Sequence, residues 1–459
     1  MRALFMCSIA LLASHASAAL AALPTSTSAT QFELSRTELQ NMAQLSKGAT
    51  LDIAALPISS QSAAKVRLKR IEIYAPSARI YQMDSAGKHE IARSDWAWFI
   101  ADSSVSGAPM LSLGIAPDGS RAVGTLIAVD GTFDLQGEAK SGDLALELRE
   151  TSSLAPEGKS LTTSCGGALP GSGLDPLGVP INDSSKATAS PNAATRQAVI
   201  TVDTDNELLS LKFSNNTANA TNYLAALFAA MNVIYERDVD LTLVQGTTFL
   251  RTAPDPFNNN DTNATPEQLV EFGNHWQANQ AATSRVLSML VSGKSSSNFS
   301  SSGIAWLLSS GVYCNQRNGS GGGYSVSQVF KFPGSTASSD VQVVAHELGH
   351  NFGLNHTHCT SLTGVEPTGT NTIDRCFTGE SDFGCFAGPQ SCPANASGRT
   401  LMSYCHLTSP GGVACGGVTL AFHPTQITTL QARITTNLPS CITPVTANAI
   451  LFRNGFENP

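Results

Sequence analysis

Charge is scarce in this sequence. Lys, Arg, Asp and Glu make up 14% of its 459 residues, and the net charge is −8. No basic stripe appears, so nucleic acid is not an expected partner. The densest basic cluster, Lys65 to Arg70, alternates with Val66 and Leu68 and reads as the solvated face of a strand. After the N-terminus no apolar run approaches the ~18 residues of a membrane helix, so no span is expected. C-x-x-C pairs are missing too, which argues against zinc held by thiolates. Ser, Thr, Asn, Gly and Ala are plentiful instead, which fits an exported, protease-tolerant surface.

Met1 to about Ala18 has the form of a signal peptide, with Arg2, the apolar stretch Ala3–Ala13 and the small-residue site Ala16-Ser17-Ala18. Cys7 lies inside the apolar stretch and not at a cleavage site, so no lipid anchor is read. The expectation is a secreted, soluble monomer. Of the remaining cysteines, eight fall between Cys314 and Cys441. In an exported chain these imply four disulfides, in any of 105 pairings. Cys165 is the odd one, in a loose stretch next to Gly166.

The length allows two domains. Residues 19–151 show period-two patterning, as in Val66, Leu68, Ile71 and Ile73 or Leu144, Leu146 and Leu148. Turn signals such as Pro117-Asp118-Gly119 break it up. This is a β-rich domain, and its place suggests a propeptide; a permanent binding module is the alternative. Residues 152–195 lack periodicity and read as a linker, cut towards 185–196. Residues 196–441 alternate strand and helix: a strand at Ala198–Val202, a helix from Asn219 to Glu236, a strand at Leu241–Leu250. A helix capped by Thr265-Pro266 and a strand at Arg285–Val291 follow. That order implies an α/β fold with a mostly parallel sheet. A last helix runs from His423 to Asn437, and 442–459 is a tail of unassigned role.

The most informative stretch is His346-Glu347-Leu348-Gly349-His350-Asn351-Phe352-Gly353-Leu354-Asn355-His356. At about 100° per residue, His346 and His350 share one helix face and can reach one metal. Glu347 sits beside them as a base for a metal-activated water. Gly353 suits the left-handed position that ends a helix, so the chain can turn and bring His356 in as third ligand. Three nitrogens leave the fourth zinc position open, as catalysis needs. Val341, Val344, Ala345 and Leu348 form the opposite, apolar stripe, and Ser339 with Gln342 offers a capping box. His358 is a poorer third ligand by spacing, and His406 reads as a bystander. Asp203-Thr204-Asp205-Asn206-Glu207 is a candidate loop for a structural calcium ion.

These residues resemble the metzincin metallopeptidases, whose long zinc motif they match position by position. Leu401-Met402-Ser403-Tyr404-Cys405 resembles that clan's methionine turn. Gly303 to Leu307, residues 323–327 and His356-Thr357-His358-Cys359 are similar to the reprolysin (ADAM-like) branch, secreted bacterial members above all. One position departs: reprolysins usually carry Asp after the third His, and this chain has Thr357. The resemblance implies a twisted, mostly parallel sheet with packed helices, a zinc cleft with a further edge strand over it at Gly303–Leu308, to which an extended substrate could add, and a β-rich propeptide before it. It implies a zinc endopeptidase acting on proteins or peptides, with Met402 as an apolar floor under the metal. It also implies Tyr404 as a group that touches zinc or steadies the oxyanion, with ordinary packing as the alternative. Cys165 resembles the zymogen latch of metzincin propeptides; a free thiol is the other reading. A gluzincin would need a Glu ligand on a second helix, and neither Glu366 nor Glu380 lies on a helical pattern. A binding protein on an inactive peptidase fold, or a zinc hydrolase of a non-protein substrate, are the rival functions.

Overall fold

The computed structural model describes residues 30–445 apart from 60–61, 104, 106, 129–130, 141–142, 155–161, 171–194, 296–299, 308–312, 315–320, 331–336, 364–366, 381–383, 395–398, 408–414 and 416–417. For 162–170 the backbone alone is described. The signal peptide, the expected cleavage region up to 194 and the tail from 446 lie outside the described residues.

The N-terminal part runs β1 (Thr30–Leu34), α1 (Arg36–Gln44), β2 (Thr50–Pro57), β3 (Ala63–Arg70), β4 (Ile80–Asp84), β5 (Gly87–Ile91), β6 (Ala97–Ala101), β7 (Met110–Ile115), β8 (Arg121–Ala128), β9 (Gly131–Lys140), β10 (Asp143–Glu150) and β11 (Thr162–Pro170). Eight of these strands form one antiparallel sheet in the order β1-β10-β9-β8-β7-β6-β3-β2. Alternation decides which face is buried. Leu144, Leu146 and Leu148 of β10 point inward, and their neighbours are less buried. With Phe32, Leu113, Leu135 and Met42 of α1 they form a core of their own.

The second part runs β12 (Arg196–Thr204), α2 (Thr217–Val239), β13 (Leu241–Arg251), α3 (Pro266–Asn279), β14 (Leu287–Ser292), β15 (Ser300–Leu307), β16 (Tyr324–Gln328), α4 (Val341–Asn351), α5 (Pro424–Thr436) and the short β17 (Thr443–Pro444). Its sheet is mixed. β12, β13, β14 and β16 are parallel, and β15 runs antiparallel to β16. Thr265 caps α3 by accepting the Gln268 N–H, with Pro266 at the first helical position. α2 and α4 pack into one core; α3 lies over another with Trp276, Leu290 and Trp306.

The two sheets do not respect the division at 151 and 196. The β4–β5 hairpin leaves the N-terminal sheet and extends the second one, with β4 parallel to β13 from Thr248↔Ile80 to Arg251↔Met83. Ile71, Ile73, Trp96 and Trp98 enter the same apolar core as α2. A Lys69–Glu236 ion pair, 3.0 Å apart and largely buried, crosses there too. Part of the expected linker is a strand as well. β11 runs parallel to β15, so β15 is not the edge of the sheet. A segment without its own periodicity becomes a strand because β15 offers it unpaired backbone groups.

Candidate active site

α4 is the axis of the site. It starts at Asp340, not with the expected Ser339 box, and no side chain caps it. The Asp340 carboxylate is engaged elsewhere: it accepts from Tyr223 Oη at 2.7 Å and from the Phe330 N–H at 2.7 Å. The acid thereby ties the start of α4 to α2 rather than closing its own helix. Tyr235 Oη donates to Ala345 O, and Asn351 Nδ2 donates to the carbonyls of Trp306 and Tyr324. The helix is thus bolted to α2 on one side and to β15 and β16 on the other.

Gly353, with φ +99°, ends it in a conformation that L side chains rarely adopt. The Gly353 N–H returns to His350 O and the Leu354 N–H to Gly349 O. This reversal brings His356 back beside the helix. The three Nε2 atoms then converge: His346 to His350 is 3.1 Å, His350 to His356 3.0 Å and His346 to His356 3.3 Å. Ligand nitrogens of a tetrahedral zinc ion, at about 2.0–2.1 Å each, lie about 3.3 Å apart.

The outer nitrogens decide the tautomers. His346 Nδ1 donates to Leu401 O at 2.7 Å and His350 Nδ1 to Leu354 O at 2.7 Å. His356 Nδ1 is 2.9 Å from Glu380 Oε2. A carbonyl or carboxylate can only accept, so each Nδ1 carries the hydrogen and each Nε2 turns a lone pair to the common point. Such lone pairs repel unless a cation lies among them, so the donor set fits a metal ion. Burial keeps the rings neutral. It pushes His346 well below the usual imidazole range, further lowered by His350, and His350 down to about 3. His356 is pushed down to about 4, against the opposing pull of Glu380.

The other expected residues gather at the same place. Glu347 is buried against the backbone of β15. A Cβ at Gly303 would come within 2.2 Å of Glu347 Oε1, so only glycine leaves room for the carboxylate. Met402 lies beneath α4 at Gly349, and its carbonyl accepts the Thr357 N–H. The Tyr404 ring packs 4.1 Å from His356, centroid to centroid. Cys165 stands on β11 opposite Gly303, so its backbone is one strand, about 4.8 Å, from the glycine that abuts Glu347. The calcium candidates lie apart. Asp203 is paired with Arg251 and Trp276 Nε1, and Asp205 accepts from Ser292 Oγ and from the N–H groups of Gly293 and Leu208.

Two acids were not singled out by spacing. Glu380, dismissed as a gluzincin ligand, meets both His356 and His358. Asp374 accepts from Thr357 Oγ1 and from Ser403 Oγ, and so supplies a carboxylate at the turn where reprolysins carry Asp next to the third His. Both sit in a loop without period, and no local pattern marks them. The eight cysteines pair as 314–441, 359–385, 376–405 and 392–415. The second and third of these tie the loop carrying Glu380 to the turns holding His356 and Tyr404.

Residues 194–412 match the family model of metallo-peptidase family M12, of reprolysin type (Reprolysin_5). The resemblance to reprolysin-like metallopeptidases is shown for this region. The family is zinc-dependent, and His346, His350 and His356 lie in that region as a group able to hold such an ion. No curated protein matches the sequence. Among the described residues no helix is long and apolar enough to cross a membrane.

Proposed function

We propose that the chain is an exported zinc endopeptidase made as a zymogen. The observation that carries this is the convergence of three Nε2 lone pairs beside a buried glutamate, within a region of family M12. His346, His350 and His356 would hold the ion. Bound there, zinc supplies a Lewis acid that polarises a peptide carbonyl and makes a water molecule acidic enough to attack at neutral pH. Glu347 takes a proton from the attacking water and delivers it to the departing amine. Its seat against Gly303 lets the substrate backbone and the carboxylate share one small space. Tyr404, whose ring packs at a tilt beside His356, steadies the developing negative charge of the carbonyl oxygen.

The extended substrate adds to β15 through backbone hydrogen bonds, which bind many sequences alike. In the full chain β11 pairs with that strand, which supports a blocked, inactive form with Cys165 as its latch. A cut between 171 and 194 frees one end of β11. The N-terminal sheet is then the propeptide, joined to the peptidase by β4 and β5. The four disulfides fit an oxidising, extracellular location.

The test is hydrolysis of an unfolded protein by the processed chain, with and without a zinc chelator, beside Glu347→Gln. Activity should vanish with the chelator and fall about 10²–10⁴-fold in the variant. A processed, zinc-loaded chain that cuts nothing would instead favour a binding protein or a non-protein substrate.

A further inference from the structure

Among the three histidines one is held differently. His346 and His350 give their Nδ1 hydrogens to backbone carbonyls, of Leu401 and Leu354. His356 gives its hydrogen to a side chain, the Glu380 carboxylate. We propose that Glu380 is the positioning residue of the third zinc ligand, fixing the ring and tautomer of His356 and thereby setting how tightly the site holds its metal. The inference rests on the reading of His346, His350 and His356 as the zinc ligands.

The carboxylate is itself fixed from three sides. His358 Nε2 lies 3.1 Å from the same Oε2. His358 is fully buried, and its Nδ1 has no hydrogen-bond partner among the described residues. A buried N–H left alone costs more than a buried lone pair, so the hydrogen sits on Nε2 and points at Glu380. The His356 and His358 rings stack at 5.3 Å, 8° apart, which aims both N–H groups at one oxygen. Tyr404 and Phe377 close the aromatic wall beside His358. Third, the loop is cross-linked on each side of Glu380. Cys376 binds Cys405, next to Tyr404, and Cys385 binds Cys359, just past His358. The acid lies between two covalent anchors, each leading to a wall of the site.

Glu380 therefore does what a carbonyl cannot. It places a full negative charge behind one ligand, which makes that imidazole a stronger donor to a cation. It also makes the ligand's orientation depend on a loop distant in sequence. The same atoms could be read as a second metal site, since His356, His358 and Glu380 lie close enough together. That would strip the hydrogen from His356 Nδ1 while its Nε2 serves the first ion, and the carboxylate would lose the charged hydrogen bonds it now accepts.

The test uses the full chain, stripped of metal and titrated with zinc against a chromogenic chelator, for wild type, Glu380→Ala, Glu380→Gln and His356→Ala. Circular dichroism checks the fold of each. Glu380→Ala should weaken zinc binding about 10–100-fold, the range for such outer partners. Glu380→Gln keeps an acceptor oxygen without the charge and should fall between. The visible bands of the cobalt-substituted protein should shift in both, which a merely structural loop residue would not cause. Wild-type affinity and wild-type cobalt bands in Glu380→Gln, with binding lost in His356→Ala, overturn the proposal and leave the zinc site standing. A second equivalent of zinc lost only in the Glu380 variants would also overturn it, in favour of a second metal site. Identical binding in wild type and His356→Ala would sink the zinc site itself, and this inference with it. Should Glu380→Ala fail to fold, the Gln variant decides alone.

Discussion

Between 30 and 150 most described residues lie in strands or in α1; among the described residues between 355 and 423 only the single turn Thr357–Cys359 is helical. The first region contains no cysteine, and the second contains six, paired as three disulfides. Yet the second region carries His356, Glu380, Met402 and Tyr404. A sheet is held by many ladder bonds and a shared apolar face, each strand supporting the next. The loops of the second region have few ladder bonds, and only some of their side chains, such as Leu401, Met402, Leu420 and Phe422, join an apolar core. Covalent closure takes that place. Loops spanning 26, 29 and 23 residues gain about 3.5 kcal/mol each in the chain-entropy account. The N-terminal sheet is held by packing and the loops of the site largely by cross-links.

Reduction should therefore break the two regions apart, and this is the largest effect expected. With the disulfides reduced, hydrolysis and zinc uptake should be lost, while backbone amides of 30–150 keep their protection. Hydrogen exchange read by mass spectrometry, beside an activity assay, checks both halves. Activity that survives complete reduction would mean that packing alone holds the loops.

A nick in 171–194 sharpens the comparison from the other side. The N-terminal part should stay bound to the peptidase part, since β4 completes the second sheet and Ile71, Ile73, Trp96 and Trp98 share its core. Each such side chain contributes roughly 1.5–3 kcal/mol when buried. Size-exclusion chromatography of the nicked protein should give one peak of full mass. A folded fragment beginning near residue 195 and eluting alone would show that the shared core is dispensable.

The smallest effect concerns neither cross-link nor ladder but a buried acid outside both regions. Burial raises the Asp205 carboxyl to about 7, although Ser292, Gly293 and Leu208 donate to it. The unfolded carboxyl ionises near 3.8. Between the two values the folded state keeps a proton that the unfolded state has lost. Stability from this group is full below the lower value and declines as pH rises through the upper one, by about 1.4 kcal/mol per pH unit. Asp205→Asn should remove that slope, so the gap between wild type and variant should change between about pH 4 and 7. Urea denaturation at two pH values measures it. Parallel curves would mean that Asp205 is ionised throughout.

Much of the site could be read from local spacing, for a physical reason. His346, Glu347 and His350 are set by one helical turn, and Gly353 by a backbone conformation open mainly to glycine. These relations involve neighbours in sequence. Glu380 could not be read that way. It reaches His356 through a loop whose path depends on Cys359–Cys385 and Cys376–Cys405, and eight cysteines allow too many pairings. The β4–β5 hairpin escaped for another reason. A period of two marks a strand but not the sheet it joins, so Ile80–Ile91 looks the same in either one.

By itself, then, the sequence determined the helix with its two histidines and Glu347, the third histidine after the turn, and the strand–helix order of the second half. Each depends on contacts within a few residues or on a repeating pattern. Tertiary structure alone decided that β11 lies along β15, that the N-terminal part completes the peptidase sheet, and that Glu380 stands behind His356. Those are pairings between distant segments. They depend on which edges are left open and which apolar faces remain uncovered once the whole chain has collapsed, and no short stretch carries that information.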